Sequence, residues 1–176
     1  MITYRMIDEQ EISRELFRSF IRHQVVTKCW RREDGKWVIR EDPFIDDWTE
    51  ADYGELVQCL RNTVHTGGLV CGAFHGDALK GFVSVESELF GGENRYLDLS
   101  SIHVSEDMRH QGIGAALFRE AKRWAKQNGA KKLYISAHSA VESQAFYQKM
   151  GCIEAAQYQM DQVEREPWDR QLECIL

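Results

Sequence analysis

The sequence has only two prolines and no run of about 18 consecutive apolar residues. It therefore argues against a disordered chain, and we expect no helix that spans a membrane. The five cysteines form no C-x-x-C pair, so neither a disulfide framework nor a zinc site is predicted, and no metal is expected. Reduced thiols, and an N-terminus without the apolar centre of a signal peptide, favour the cytoplasm.

Basic residues are fewer than acidic ones: the sequence has 22 Lys and Arg residues and 28 Asp and Glu residues, and its net charge is −6. A protein dedicated to nucleic acid usually has a basic face, so no nucleic-acid partner is expected. The 176 residues include 43% apolar residues, which is enough for a packed core. This length predicts one domain over residues 1–176.

Strand and helix patterns alternate along the chain, which predicts a mixed α/β fold. Two of the predicted helices begin at capping boxes, at Asp8 and at Thr49. The helix that begins at Asp8 is predicted over residues 8–21. Two further helices are predicted over residues 112–128 and 140–150. The predicted strands cover residues 2–7, 69–74, 80–89, 96–104, 133–138, 153–163 and 171–175.

Residues 25–48 interrupt this alternation between the first two helices. Asp34-Gly35 is a strong turn signal between two strand patterns and predicts an inserted hairpin. Connections of this length are often binding elements. Residues 33–52 hold eight acidic and two basic side chains, with aromatic residues interleaved.

Carboxylates beside aromatic rings suit a cationic amine, through ion pairs and cation–π contacts. The hairpin therefore supplies candidate acceptor-binding residues. The alternative is a solvated acidic loop whose tryptophans pack on the hairpin itself. The candidates are Trp30, Asp46, Asp47 and Trp48.

The most informative stretch is residues 99–116, where a strand pattern passes through the turn Arg-His-Gln-Gly-Ile-Gly, residues 109–114, into a helix. The two glycines let a bulky ligand approach the backbone closely. The N–H groups of a first helical turn are unpaired and partly positive, so together with Arg109 they suit a diphosphate. The alternative is a plain strand-to-helix turn. Leu117 stands where a dinucleotide fingerprint needs a third glycine.

Arg109, Gly112 and Gly114 match the pattern Arg/Gln-x-x-Gly-x-Gly/Ala of the GNAT superfamily of acyl-CoA-dependent N-acyltransferases, which the chain resembles. The similarity continues through residues 133–138 and 144–151 and in the order of elements, except for the insert. The resemblance implies a mostly antiparallel central sheet of about seven strands with four helices. In that fold the fourth strand carries a bulge and splays away from the fifth. It also implies acetyl-CoA as co-substrate.

The same resemblance implies roles for particular residues. The amides of the 109–115 turn would hold the pyrophosphate of CoA, and the end of the preceding strand would pair with the pantetheine arm. Tyr147 is the expected general acid, and Asp98, eleven residues before Arg109, is the expected general base. Other candidates for the base are Glu86, Glu88, His103 and His138. The implied CoA-binding residues are Ile102, His103, Val104, Arg109, His110, Gln111, Gly112, Ile113, Gly114 and Ala115.

The chain departs from the family at Ala140, where many members have an asparagine seven residues before the acid tyrosine. Ser139 or Ser143 could take its place. No cysteine has a base at a recognisable spacing, so direct attack by the amine is expected rather than an acyl-cysteine intermediate.

The sequence thus predicts an acetyl-CoA-dependent N-acetyltransferase that acts on a primary amine of a cationic small molecule or a lysine side chain, with a homodimer as a further expectation. One alternative is a non-catalytic CoA-binding module that serves as a sensor or in assembly. Another is a succinyl or longer acyl donor.

Overall fold

The computed structural model describes all 176 residues and contains nine strands and four α-helices. The strands are β1 (Ile2–Met6), β2 (His23–Glu33), β3 (Lys36–Asp47), β4 (Leu69–His75), β5 (Ala78–Val85), β6 (Tyr96–Val104), β7 (Lys132–Ala137), β8 (Ile153–Glu154) and β9 (Arg170–Ile175). The helices are α1 (Glu50–His65), α2 (Ile113–Gln127), α3 (Val141–Lys149) and α4 (Met160–Arg165). No helix combines the length and the apolar character needed to cross a bilayer.

Seven strands form one sheet in the order β1-β4-β5-β6-β7-β9-β8, in which β6 and β7 are the only parallel neighbours. Side chains alternate across this sheet, so each face carries its own core. Leu97 and Leu99 belong to a core of 20 buried residues that α2 and α3 cover. On the other face Phe82 packs against Phe17 and the start of α1. The predicted mostly antiparallel seven-stranded sheet is confirmed.

The sheet opens between β6 and β7. These strands pair only over residues 96–98, and from Leu99 onward β6 is paired with β5 alone. Ser100 is the extra residue of a bulge in β6, because Ser84 faces Ser101 while Val85 faces Leu99. The predicted bulge and splay are confirmed, and one backbone edge of β6 is left open.

The predicted helix over residues 8–21 is wrong. The structure has two short 3₁₀ turns there, Glu9–Glu11 and Glu15–Phe17. Ser13 separates them, because its carbonyl and hydroxyl oxygens both accept from the N–H of Leu16. Such local bonding by serine competes with a continuous helix. The apolar side chains of this segment still reach the core; they are Ile12, Phe17 and Phe20.

The predicted strand over residues 153–163 is also wrong beyond its first two residues. Only Ile153–Glu154 pairs with β9, and the chain then turns into α4. The N–H of Gln159 donates to the Tyr134 hydroxyl at 2.9 Å, which fixes the start of that turn. Ile153 and Met160 remain exposed, so the apolar residues of this stretch do not form one buried strand face. The number of helices is as predicted, but α4 replaces the first predicted one.

The predicted hairpin is present as β2 and β3, which form a separate two-stranded sheet. It is tied to the body of the protein by the Trp30 N–H, which donates to the Ser139 carbonyl at 2.8 Å. Val26 and Cys29 bury Ala140 completely. This packing explains why a small apolar residue stands where the resemblance implies an asparagine.

Candidate active site

Two cavities lie on either side of the gap between β6 and β7. The larger, of about 750 Å³, runs from the start of α2 to α3. The smaller, of about 360 Å³, is lined by β6, β7 and α4. Ile102, His103 and Tyr147 line both cavities, so the two meet along the open part of β6.

The larger cavity ends at a row of unbonded main-chain donors. None of the six N–H groups from His110 to Ala115 donates a hydrogen bond within the protein, whereas the N–H of Arg109 bonds to Glu106. Gly112 has a φ of +82°, and no atom lies within 4 Å of where its Cβ would stand. The backbone there is therefore open to a ligand.

Nine of the ten residues predicted to bind CoA line this cavity. The exception is Gln111, whose side chain is exposed and contacts the Met108 sulfur. Gly114 serves packing, because a Cβ there would lie 3.2 Å from the Phe146 ring on α3. The Arg109 Nε donates to the Val104 carbonyl at 3.3 Å, and burial lowers the pKa of the Arg109 guanidinium.

Asp98 lies at the last pair before β6 and β7 part, and it lines the smaller cavity. Its Oδ2 accepts from Gln162 Nε2 at 2.9 Å, while its Oδ1 is buried without a partner. Burial raises the pKa of Asp98 to about 7, against the opposing effect of the Gln162 hydrogen bond. The carboxyl group can therefore gain or lose a proton near neutral pH.

Tyr147 and the two histidines at this junction are electrically neutral at pH 7. Burial raises the pKa of the Tyr147 hydroxyl well above its usual range, and the hydroxyl makes no hydrogen bond within the protein. Burial and the charge of Arg22 lower the pKa of His103 to about 3. Burial also lowers the pKa of His138, whose Nδ1 accepts from the Ala140 N–H.

The two glutamates considered as alternative bases lie outside both cavities. Glu86 is nevertheless close to Asp98, and its Oε1 accepts from the hydroxyls of Thr63 and Ser100 at 2.7 and 2.8 Å. Glu88 is exposed. Among the carboxylates considered as the base, only Asp98 lines a cavity.

The hairpin residues predicted to bind the acceptor do not line either cavity. Asp46 pairs with Arg22 at 2.9 Å, and Asp47 pairs with His23 at 2.6 Å. Trp48 packs edge-on against His103, with ring centroids 4.7 Å apart. Trp30 lies under the guanidinium of Arg170. Each of the four thus has a partner inside the protein, and their role in acceptor binding stays a prediction.

Sequence reasoning missed the polar residues that α4 and the chain after it bring to the smaller cavity. They fall at or after a stretch predicted as a strand, although Pro167 just beyond α4 is a typical signal for the end of a helix. Sequence reasoning also missed Arg22, which lines the larger cavity but belongs to no recognisable motif. The missed residues of the smaller cavity are Gln162, Arg165, Glu166 and Asp169.

Residues 27–152 match the sequence model of the acetyltransferase (GNAT) family. Because this match covers more than half of the chain, the protein belongs to the GNAT acetyltransferase family. No curated protein matches the sequence.

Solved structures share the whole fold at low sequence identity. A nourseothricin acetyltransferase is 18% identical with a TM-score of 0.66, covering 98% of this chain and 95% of that one. A protein described as a streptothricin acetyltransferase, from Bacillus anthracis and in complex with acetyl-CoA, is 15% identical with a TM-score of 0.70, covering 98% and 96%. The PaiA N-acetyltransferase of Thermoplasma acidophilum, in complex with CoA, is 14% identical with a TM-score of 0.62, covering 100% and 99%. At these identities the likeness shows the fold alone.

Asp98→Asn should stabilise the protein more at about pH 8 than at about pH 4. The pKa of Asp98 is about 7 in the folded protein and about 3.9 in an unfolded chain. The folded state therefore holds a proton that the unfolded state releases, and wild-type stability falls as the pH rises through this interval. Asparagine can still accept from Gln162 and carries no charge.

Thermal unfolding of both proteins at the two pH values measures this effect. The gain in Tm should be larger at the higher pH by at least about 3 °C, the shift that roughly 1 kcal/mol produces at this size. Asp77→Asn, in an exposed turn, is the control. A gain that is independent of pH would contradict the raised pKa.

Proposed function

We propose that the protein transfers an acetyl group from acetyl-CoA to a primary amine by direct attack of the amine on the thioester. One observation carries this proposal. A cavity with six free main-chain amides meets, at Tyr147, a second cavity that holds the carboxylate of Asp98, one oxygen of which has no hydrogen-bond partner. A nucleotide-bearing donor and an amine acceptor could therefore enter from opposite sides and react at the junction.

The larger cavity fits CoA in two respects. The amides from His110 to Ala115, with Arg109, offer positive partial and full charges to a pyrophosphate. Along β6, the edge from Leu99 to Val104 has no neighbouring strand, so its backbone groups can pair with the amides of a pantetheine arm. When bound there, acetyl-CoA supplies the acyl group as a thioester.

Two side chains of the protein can then carry out the proton transfers of the reaction. An ordinary primary amine has a pKa of about 10.4, so presenting it neutral at pH 7 costs about 4–5 kcal/mol. Asp98, with its pKa of about 7, can take the proton from a bound ammonium group, directly or through a water. Tyr147 stays protonated at this pH and can donate its proton to the departing thiolate.

The charge of the smaller cavity favours a cationic acceptor. Asp98, Glu166 and Asp169 line it, and Arg165 is the only lysine or arginine in its wall. None of the three carboxylates forms an ion pair within the protein. An ammonium group entering this cavity therefore meets carboxylates that no direct ion pair neutralises, although the charge of Arg165 also acts on Asp98.

Thiol release from acetyl-CoA with polyamines, aminoglycosides, amino acids and a lysine peptide tests the activity. With an active amine, kcat/KM should rise up to about pH 7 and then level off, because Asp98 must be ionised. In Asp98→Asn, kcat/KM should fall by roughly 10²–10⁴-fold and keep rising towards the amine's own pKa. The same profile in both proteins would remove Asp98 from the mechanism. Binding of CoA without thiol release from any amine would favour a non-catalytic CoA-binding module.

Gly112→Asp should abolish CoA binding, because it places a carboxylate where the pyrophosphate is expected. Gly35→Asp is a matched control, since Gly35 also has a positive φ, +75°, and no atom within 4 Å of a Cβ position, but lies in the turn of the hairpin. Calorimetric titration with CoA measures the affinities. Unchanged affinity in the first variant, or an equal loss in the control, would refute the phosphate role.

Tyr147→Phe should lower kcat by roughly 10²-fold or more, the contribution of a general acid, while the affinity for CoA changes little. The reason is that the phenylalanine cannot protonate the leaving thiolate. Acetyl thioesters of more acidic thiols need this proton less, so the loss should shrink with them. A loss that is equal for all thioesters would show that Tyr147 acts by packing alone.

A further inference from the structure

Asp169 ends a chain of four hydrogen bonds that starts at the main chain before α4. The Gln159 N–H donates to the Tyr134 hydroxyl at 2.9 Å, and that hydroxyl donates to Gln171 Oε1. Gln171 Nε2 donates to Ser136 Oγ at 3.1 Å, and Ser136 Oγ donates to Asp169 Oδ2 at 3.0 Å. Every bond points towards the carboxylate, so each one polarises the next.

This chain of hydrogen bonds runs through buried side chains. Tyr134 and Gln171 are 0% and 3% exposed, and polar groups at such positions are costly unless they are fully bonded. Their bonding holds the Asp169 carboxylate in one place in the wall of the smaller cavity. A fixed position is what a recognition group needs.

The protein does not neutralise this carboxylate. Arg170, the next residue, directs its guanidinium between the rings of Trp30 and Trp37, 4.9 Å from each. Asp169 forms no ion pair, and burial raises its pKa to about 6. The smaller cavity thus has two buried carboxylates that form no ion pair, Asp98 on β6 and Asp169 just before β9.

Only one of these carboxylates is needed to receive the proton of the reacting amine. We propose that Asp169 binds a second cationic group of the acceptor, so that the preferred acceptors are compact diamines. One amine reacts at Tyr147 and Asp98, while the other pairs with Asp169. The volume of about 360 Å³ corresponds to about twelve groups of roughly 30 Å³ each, so a diamine of six or seven heavy atoms has room there. This inference rests on the proposed function and names its acceptor class.

Matched acceptors test the second charge. Thiol release from acetyl-CoA is measured with butylamine and putrescine, and with pentylamine and cadaverine, which differ only in the second amino group. Wild type should prefer the diamine of each pair at least tenfold in kcat/KM. In Asp169→Asn the Ser136 hydrogen bond can persist without the charge, so KM for the diamines should rise at least tenfold. Its kcat with the diamines should change little, and KM for the monoamines should rise by a smaller factor than KM for the diamines.

Three further variants separate charge from structure. Asp161→Asn removes the same charge from an exposed position on α4 and should leave the preference unchanged. Asp169→Glu keeps the charge and should recover part of the preference. Ser136→Ala keeps Asp169 but breaks the chain of hydrogen bonds, and it should raise KM for the diamines by a smaller factor than Asp169→Asn.

The outcomes distinguish this inference from the proposed function. Equal kcat/KM for the members of each pair in wild type, or an equal rise of KM for both in Asp169→Asn, would overturn the second-cation site while leaving the activity standing. If no amine causes thiol release from acetyl-CoA, the second-cation site is tested by calorimetric titration of the CoA complex with putrescine. Binding that is lost in Asp169→Asn would support the site, and no binding to wild type would overturn it.

Discussion

The separation of β6 from β7 after residue 98 is the constraint on which the rest of the site depends. A strand edge inside a sheet leaves backbone donors and acceptors without partners, which proteins normally avoid. Here the bulge at Ser100 bends β6 away, and the gap joins two cavities. The same separation leaves Asp98 buried with one free oxygen, which raises its pKa. One distortion of the sheet thus produces both an edge for an extended ligand and a candidate base.

The hairpin of β2 and β3 influences the charge state of His103 through Arg22. Asp46 holds Arg22 in the wall of the larger cavity, where its side chain is only 6% exposed. After burial itself, the charge of Arg22 is the main reason that the pKa of His103 is as low as about 3. With that imidazole neutral, Asp98 is the group at the junction that titrates near pH 7. The acidic residues of the hairpin therefore act on the site through the cations they hold.

The sequence predicted structure correctly where neighbouring residues determine it, and incorrectly where a residue distant in the chain determines it. The Asp34-Gly35 turn, the Thr49 cap and the turn at Gly112 depend on their own neighbours, and all three are present. The start of α4 depends instead on a hydrogen bond from Gln159 to Tyr134, which no local pattern encodes. For the same reason the family resemblance could suggest Asp98 as the base, but the sequence could not show the cavity that it shares with Asp169.

The attraction of a cavity for a cation depends on more than the number of acidic residues nearby. The density of carboxylates is highest in the hairpin, yet Asp46 and Asp42 are each paired with an arginine. Attraction for a cation depends on the charge that remains after such pairs form, and in the smaller cavity that charge comes from carboxylates without an ion pair, Asp98 and Asp169 among them. Burying unpaired carboxylates destabilises the free protein. A fold that keeps them in one cavity is less stable there than it could be, and a bound cation would offset that cost where the reaction takes place.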